Sequence, residues 1–93
     1  MPDQTEKRLI SFADSHELIT AVYKGHNPEE KNYLTYYFLA PTKFDLEFEE
    51  ELADLELRLF RETKKSFGIM SWPISQEEAV DYPFLGKCVY KKN

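Results

Sequence analysis

One cysteine, three glycines and two histidines are too few for several common chemistries. Cys88 has no partner for an internal disulfide, and alone it cannot build a cysteine-based zinc site. That usage fits a reducing, cytoplasmic setting. Three glycines cannot line a phosphate cradle, and neither the dinucleotide-binding nor the P-loop glycine pattern occurs. A nucleophile elbow is missing as well. His16 and His26 match neither HExxH nor any short zinc spacing. No metal and no cofactor is expected.

Long apolar runs are also absent. No stretch reaches membrane length, and residues 1–20 lack a basic-then-apolar leader pattern. A soluble chain with no membrane partner is the expectation. Positive charge is in deficit: 12 Lys and Arg stand against 17 Asp and Glu, a net charge of −5. Duplex DNA and RNA demand a basic footprint, so nucleic acid is not an expected partner. A basic protein surface is compatible with this charge.

What remains is a folded chain. It is 42% hydrophobic and 31% charged, which places it among globular rather than disordered sequences. Its 7 Phe, 6 Tyr and 1 Trp bring large areas to bury, so no disulfide or metal staple is needed. The 93 residues are expected to form one domain, 1–93. There is no internal repeat and no linker long enough to divide it.

Residues 44–65 carry the main signal, a long helix. On a wheel at about 100° per residue, Phe48, Leu52, Leu55 and Leu59 form one apolar stripe. Leu46, Ala53, Leu57 and Phe60 form a second. Glu49 and Glu56 lie between the stripes, and Glu47, Glu51, Asp54, Arg58 and Arg61 lie opposite. Acids crowd the first half and bases the second, the order that a helix dipole favours. Asp54 and Arg58 are a favourable i, i+4 pair. Two stripes need two covers. A sheet is expected over one. The second is expected to be core as well, under another part of the chain, with a partner or dimer interface as the rival reading.

The rest reads as support for this helix. Pro2 to Glu6 resembles a helix start, with Asp3 as N-cap and Glu6 completing a capping box. Leu9, Phe12, His16, Ile19 and Tyr23 recur at helical spacing, and Gly25 could close such a helix. Residues 17–24, rich in Ile, Thr, Val and Tyr, read better as a strand after a shorter helix. A polar surface connection is expected over 25–32 and a central strand over 33–40, apolar on both faces. Pro41 should end that strand, and Thr42 or Asp45 should cap the long helix. A strand over 66–74 contains Gly68, which suggests a bulge or a close approach. A short helical turn begins at 75–78 and breaks at Tyr82-Pro83. A last strand over 85–91 has Lys87, Lys91 and Lys92 to protect an edge. The predicted fold is α+β, in the order α-β-β-α-β-β. A small, mainly antiparallel sheet of 3–4 strands carries the long helix across one face, together with the N-terminal helix. The strands on either side of the long helix are expected to be parallel.

The candidate chemistry is thin. His16 reads as a packed histidine and His26 as an exposed turn residue. Cys88 reads as a small core residue rather than a nucleophile. Tyr33, Tyr36, Tyr37 and Phe38 could line one sheet face with Trp72 and Tyr90, as core, because no basic residues interleave to hold phosphates. The expected function is therefore binding: a small acidic interaction or regulatory domain, an adaptor, inhibitor or subunit. Its candidate surface is Glu47, Glu50, Glu51 and Asp54 with Leu46, Leu57 and Phe60. The partner is a protein, basic in charge, or a second copy in a homodimer. The alternative is a small-ligand or enzymatic pocket between helix and sheet. Glu49 or Glu56 would work there with a tyrosine hydroxyl.

Overall fold

The computed structural model describes residues 4–27, 29, 33–40, 46–64 and 67–92. Within them the order is helix α1 (Gln4–Ser15), strands β1 (Ala21–His26) and β2 (Leu34–Leu39), helix α2 (Leu46–Thr63), strand β3 (Gly68–Trp72), two short 3-10 turns (Glu78–Asp81 and Pro83–Leu85) and strand β4 (Lys87–Lys91). The sheet order is β3-β2-β1-β4. β1 pairs antiparallel with both β2 and β4, while β2 and β3 run parallel. The expected α+β architecture holds, including the parallel pair joined through α2. The N-cap at Asp3, the caps at Thr42 or Asp45, the strand stop at Pro41 and the outer ends of the 44–65 helix lie outside the described residues.

β2 organises the packing. Alternate residues of a strand point to opposite faces, and β2 is apolar on both. Tyr36 and Phe38 face the two helices and join Leu9, Ala13, Val22, Phe48, Leu52, Leu55 and Leu59 in one core. Tyr37 and Leu39 face the other way and join Ala21, Ile74, Ala79 and Leu85 in a second. Register keeps each neighbour on its side: Val22 pairs with Phe38, and Ala21 with Leu39. The aromatic residues expected on one sheet face therefore divide between two. Tyr36 meets Phe67 on the helical side. On the other side Trp72 packs edge-on against Tyr37, Tyr82 and Phe84, with ring centroids 5.3–6.0 Å apart. Such pairs add about 0.5–1.5 kcal/mol beyond area burial.

The second core needs its own cover, and the chain between β3 and β4 supplies it. Its 3-10 turns cross so close to β1 that a methyl group on Gly25 would meet the carbonyl groups of Phe84 and Leu85. This approach explains why a glycine interrupts a strand. Gly25 and His26 thus belong to β1 rather than to the expected surface connection. Gly86, at φ 79°, turns the chain into β4. The bulge lies in β4, whose Val89 is the extra residue opposite the Val22–Tyr23 step of β1, and not at Gly68.

α1 stops at Ser15, so the order helix then strand is correct and the continuous-helix reading is not, but the strand expected over 17–24 begins only at Ala21 and runs to His26. His16 secures the stop. Its Nδ1 accepts the Leu18 N–H at 3.3 Å, and its ring packs on Phe12 and Phe48 at 5.5 and 5.0 Å. Glu6, expected in a capping box, reaches the sheet, where its carboxylate accepts the Tyr36 hydroxyl at 3.3 Å and lies 3.5 Å from Lys24 Nζ.

The stripes of α2 separate cleanly. Phe48, Leu52, Leu55 and Leu59 are buried against the sheet. The second stripe is not core: Leu46, Leu57 and Phe60 are 62%, 49% and 47% exposed, and Ala53 is exposed too. α1 does not cover it: its ties to α2 run through Arg8–Glu62 and, just past its end, His16–Glu51, and no α1 residue lines the groove beside the stripe. Leu59→Ala is expected to destabilise the fold by about 2–5 kcal/mol, and Leu57→Ala by no more than about 0.5 kcal/mol. Urea denaturation at low protein concentration measures both. Equal losses at the two positions would contradict the assignment of stripes.

Candidate functional site

The exposed stripe of α2 does not lie on a bare convex surface. It forms one wall of a groove of about 470 Å³ running between α2 and the outer side of β3. Ala53, Glu49, Glu56, Leu57 and Phe60 come from the helix, with Leu52 at the base. Tyr33, Phe67 and Ile69 form the other wall. The groove exists because β3 is an edge strand and α2, entering it by a parallel crossover, must run along that edge. The sequence reading found the helical wall and missed the opposite one. Parallel pairing of β2 and β3 was the signal that could have placed Phe67 and Ile69 beside α2.

Glu49 and Glu56, the acids between the stripes, fasten α2 to β3. Glu56 Oε2 accepts the backbone N–H of Ile69 at 3.0 Å. Trp72 offers its carbonyl to Ala40, next to β2. Strand groups alternate, so the Ile69 N–H points away from β2 along the open edge. Glu56 thus occupies the place that a fifth strand would take. Two residues on, the Ser71 hydroxyl donates to Glu49 Oε1. These bonds give half-buried carboxylates the partners that their position requires. Both acids still line the groove, but each spends an oxygen on the fold.

The acidic residues named from sequence divide by their engagements. Asp54 accepts from Arg58 at 2.7 Å, as its spacing predicts. Glu51 meets His16 Nε2 at 3.0 Å. Since His16 Nδ1 accepts from Leu18, Nε2 carries the hydrogen that it donates to Glu51. Glu51 therefore ties α2 to the end of α1. Arg8 and Glu62 make a second tie between the helices. Glu47 and Glu50 are exposed, and among the described residues neither enters an ion pair. Glu50, Leu57 and Arg61 follow one another along the solvent side of the apolar stripe.

Elsewhere, resolved proton-affinity shifts fall on tyrosines. Burial raises Tyr37, whose hydroxyl donates to the His26 carbonyl at 2.6 Å. Burial also raises Tyr23, with Cys88 adding to it. The bond from Tyr90 to Asp14, 2.7 Å long, raises Tyr90. None of the three lines the groove. Cys88 is exposed on β4 rather than in the core, because β4 is the other edge of the sheet. Among the described residues no three His, Cys, Asp or Glu side chains gather where they could hold a metal ion. Among them, too, no helix is long and apolar enough to cross a membrane.

No protein-family model, no curated protein and no solved structure matches this chain significantly.

Glu56→Ala is expected to expose the Ile69 amide and to cost about 1–3 kcal/mol. Hydrogen exchange followed by NMR should show Ile69 losing protection, with the buried β2 amides of Tyr36 and Phe38 changing only in line with global stability. Undiminished Ile69 protection would show that Glu56 does not cover the edge.

Proposed function

We propose that this chain is a small acidic interaction domain of the cytoplasm, acting by binding as an adaptor, inhibitor or regulatory subunit. Its binding surface is the exposed flank of α2, with Leu46, Leu57 and Phe60, and the groove beside it. The observation that carries this reading is the pairing of half-exposed Leu57 and Phe60 with a groove they help to form. Apolar side chains on a rigid helix, next to a recess, supply contact area at little ordering cost. Glu47, Glu50, Glu51 and Asp54 border the flank along its first half and would steer a basic surface toward it. Affinity then comes from the apolar contacts and approach rate from the charges.

A second reading has one observation in its favour. The groove is large enough for a small molecule and brings Glu49, Glu56 and Tyr33 to its walls. Against it, both carboxylates are already held by β3.

A tagged chain and its Leu57→Asp/Phe60→Asp variant separate these readings. A protein partner should be recovered in stoichiometric amount with the parent and with a Val80→Asp control, since Val80 is exposed on a 3-10 turn away from the groove. It should be lost with the double variant. Recovery of the same partner with all three would remove α2 as the binding surface. A bound small molecule released on denaturation, with no protein partner, would favour the pocket.

A further inference from the structure

The exposed flank of α2 has a charge order that bears on its occupant. Along the solvent side of the apolar stripe, Glu47, Glu50 and Asp54 come first, and Arg58, Arg61 and Lys64 follow. Asp54 and Arg58 are paired within the helix. Among the described residues Glu50, Arg61 and Lys64 are in no ion pair. Among the described residues the flank thus begins with two acids outside any ion pair, Glu47 and Glu50, and ends with two such bases, Arg61 and Lys64.

Such a surface is complementary to itself when reversed. With the flank of α2 as the binding surface proposed above, we infer that its occupant is α2 of a second copy of this chain, laid antiparallel across a two-fold axis at Leu57. Helix geometry sets the pairs. Residues about one or two turns before Leu57 face those about as far after it, so Leu57 meets its own copy. Ala53, one turn before, faces Phe60, nearly one turn after. A small residue opposite a large one lets two helices approach at the usual 8–10 Å spacing. Glu50, two turns before Leu57, comes opposite the C-terminal end of α2, with Arg61 in its last turn and Lys64 just beyond it in a left-handed conformation. Asp54 comes beside Arg61. The two-fold axis makes every such pair twice, as in any isologous interface. A parallel arrangement would instead set Glu50 against Glu50 and Lys64 against Lys64, and like charges in apposition cost binding energy.

The sheet edges point the same way. β4 carries Lys87 and Lys91 at its exposed edge positions, and Glu56 covers the Ile69 amide on β3. Edge-to-edge pairing of two sheets is thereby discouraged. Among the described residues, three of the five exposed large apolar side chains, Leu46, Leu57 and Phe60, lie on the helical flank together with Ala53. The groove wall at Tyr33 and Phe67 extends it.

Sedimentation equilibrium of the full chain, with charge swaps, tests this. The parent is expected to be a dimer at micromolar concentration. Glu50→Lys/Asp54→Lys should weaken self-association by more than about tenfold, as should Arg61→Glu/Lys64→Glu. An equimolar mixture of these two variants should regain a 1:1 dimer, which neither forms alone. All four positions are exposed, so circular dichroism should show native secondary-structure content for each variant. A covalent readout is independent of the charges. In a Cys88→Ser background, Leu57→Cys should cross-link to itself under mild oxidation by copper–phenanthroline, and Leu46→Cys should not. A parent that remains monomeric at about 500 μM overturns the inference. So does a mixture that fails to recover the dimer, or a cross-link at Leu46 in place of Leu57. If the parent is monomeric yet a different protein is lost with Leu57→Asp/Phe60→Asp, only the self-pairing falls. If that variant keeps every partner, the binding surface falls with it.

Discussion

A strand that is apolar on both faces cannot be stable until both are covered, and β2 is such a strand. Tyr36 and Phe38 require the helical layer, whereas Tyr37 and Leu39 require something on the reverse. The helices can serve only one side. The connection from β3 to β4 is therefore drawn across the other, and Tyr82 and Phe84 ride on it to pack against Trp72 of β3. Gly25 and Gly86 are where that crossing is tightest, each lying against the backbone of the opposite segment. The molecule is a three-layer structure whose third layer consists of short turns rather than a helix or sheet.

The position of α2 follows from the same demand. One stripe of the helix completes the first core, and parallel pairing of β3 with β2 holds the helix along the sheet edge. That placement leaves the second stripe exposed, and among the described residues nothing covers it. Glu49 and Glu56 bridge the gap between helix and edge strand, and the recess beside them is the concave surface that α2 helps to build. The exposed flank and the groove beside it are thus by-products of topology. A helix over the middle of the sheet would have hidden both stripes.

Much of this was legible in the residues. The spacing of Phe48, Leu52, Leu55 and Leu59 marks the buried stripe, and the β-rich stretch ending at Lys24 marks a strand. The run from Tyr33 to Ala40 marks a central one. The second stripe was misassigned because periodicity reports apolar faces and not what covers them. Leu57 and Leu59 are identical in type, yet one is half exposed and the other fully buried. Gly25 has the look of a turn residue, and only the proximity of Phe84 and Leu85 explains it as a strand residue. The partners of Glu49 and Glu56 lie in β3, beyond the reach of local pattern. Cys88 was placed in the core because free cysteine is commonly buried, but strand order put it on an edge.

The carboxylate of Glu56, resting on one backbone amide, has a further implication for what kind of recognition this fold can support. Strand addition is permissive: any extended peptide carries the same N–H and C=O groups, and pairing through them discriminates little. With that amide taken on β3 and lysines along β4, both routes to such promiscuous zipping are hindered. What remains accessible is a set of side chains of fixed shape on a rigid helix. Contacts of that sort sense single methylene groups and the sign of individual charges. For the binding role proposed above, selectivity would in this way be built into the frame of the protein.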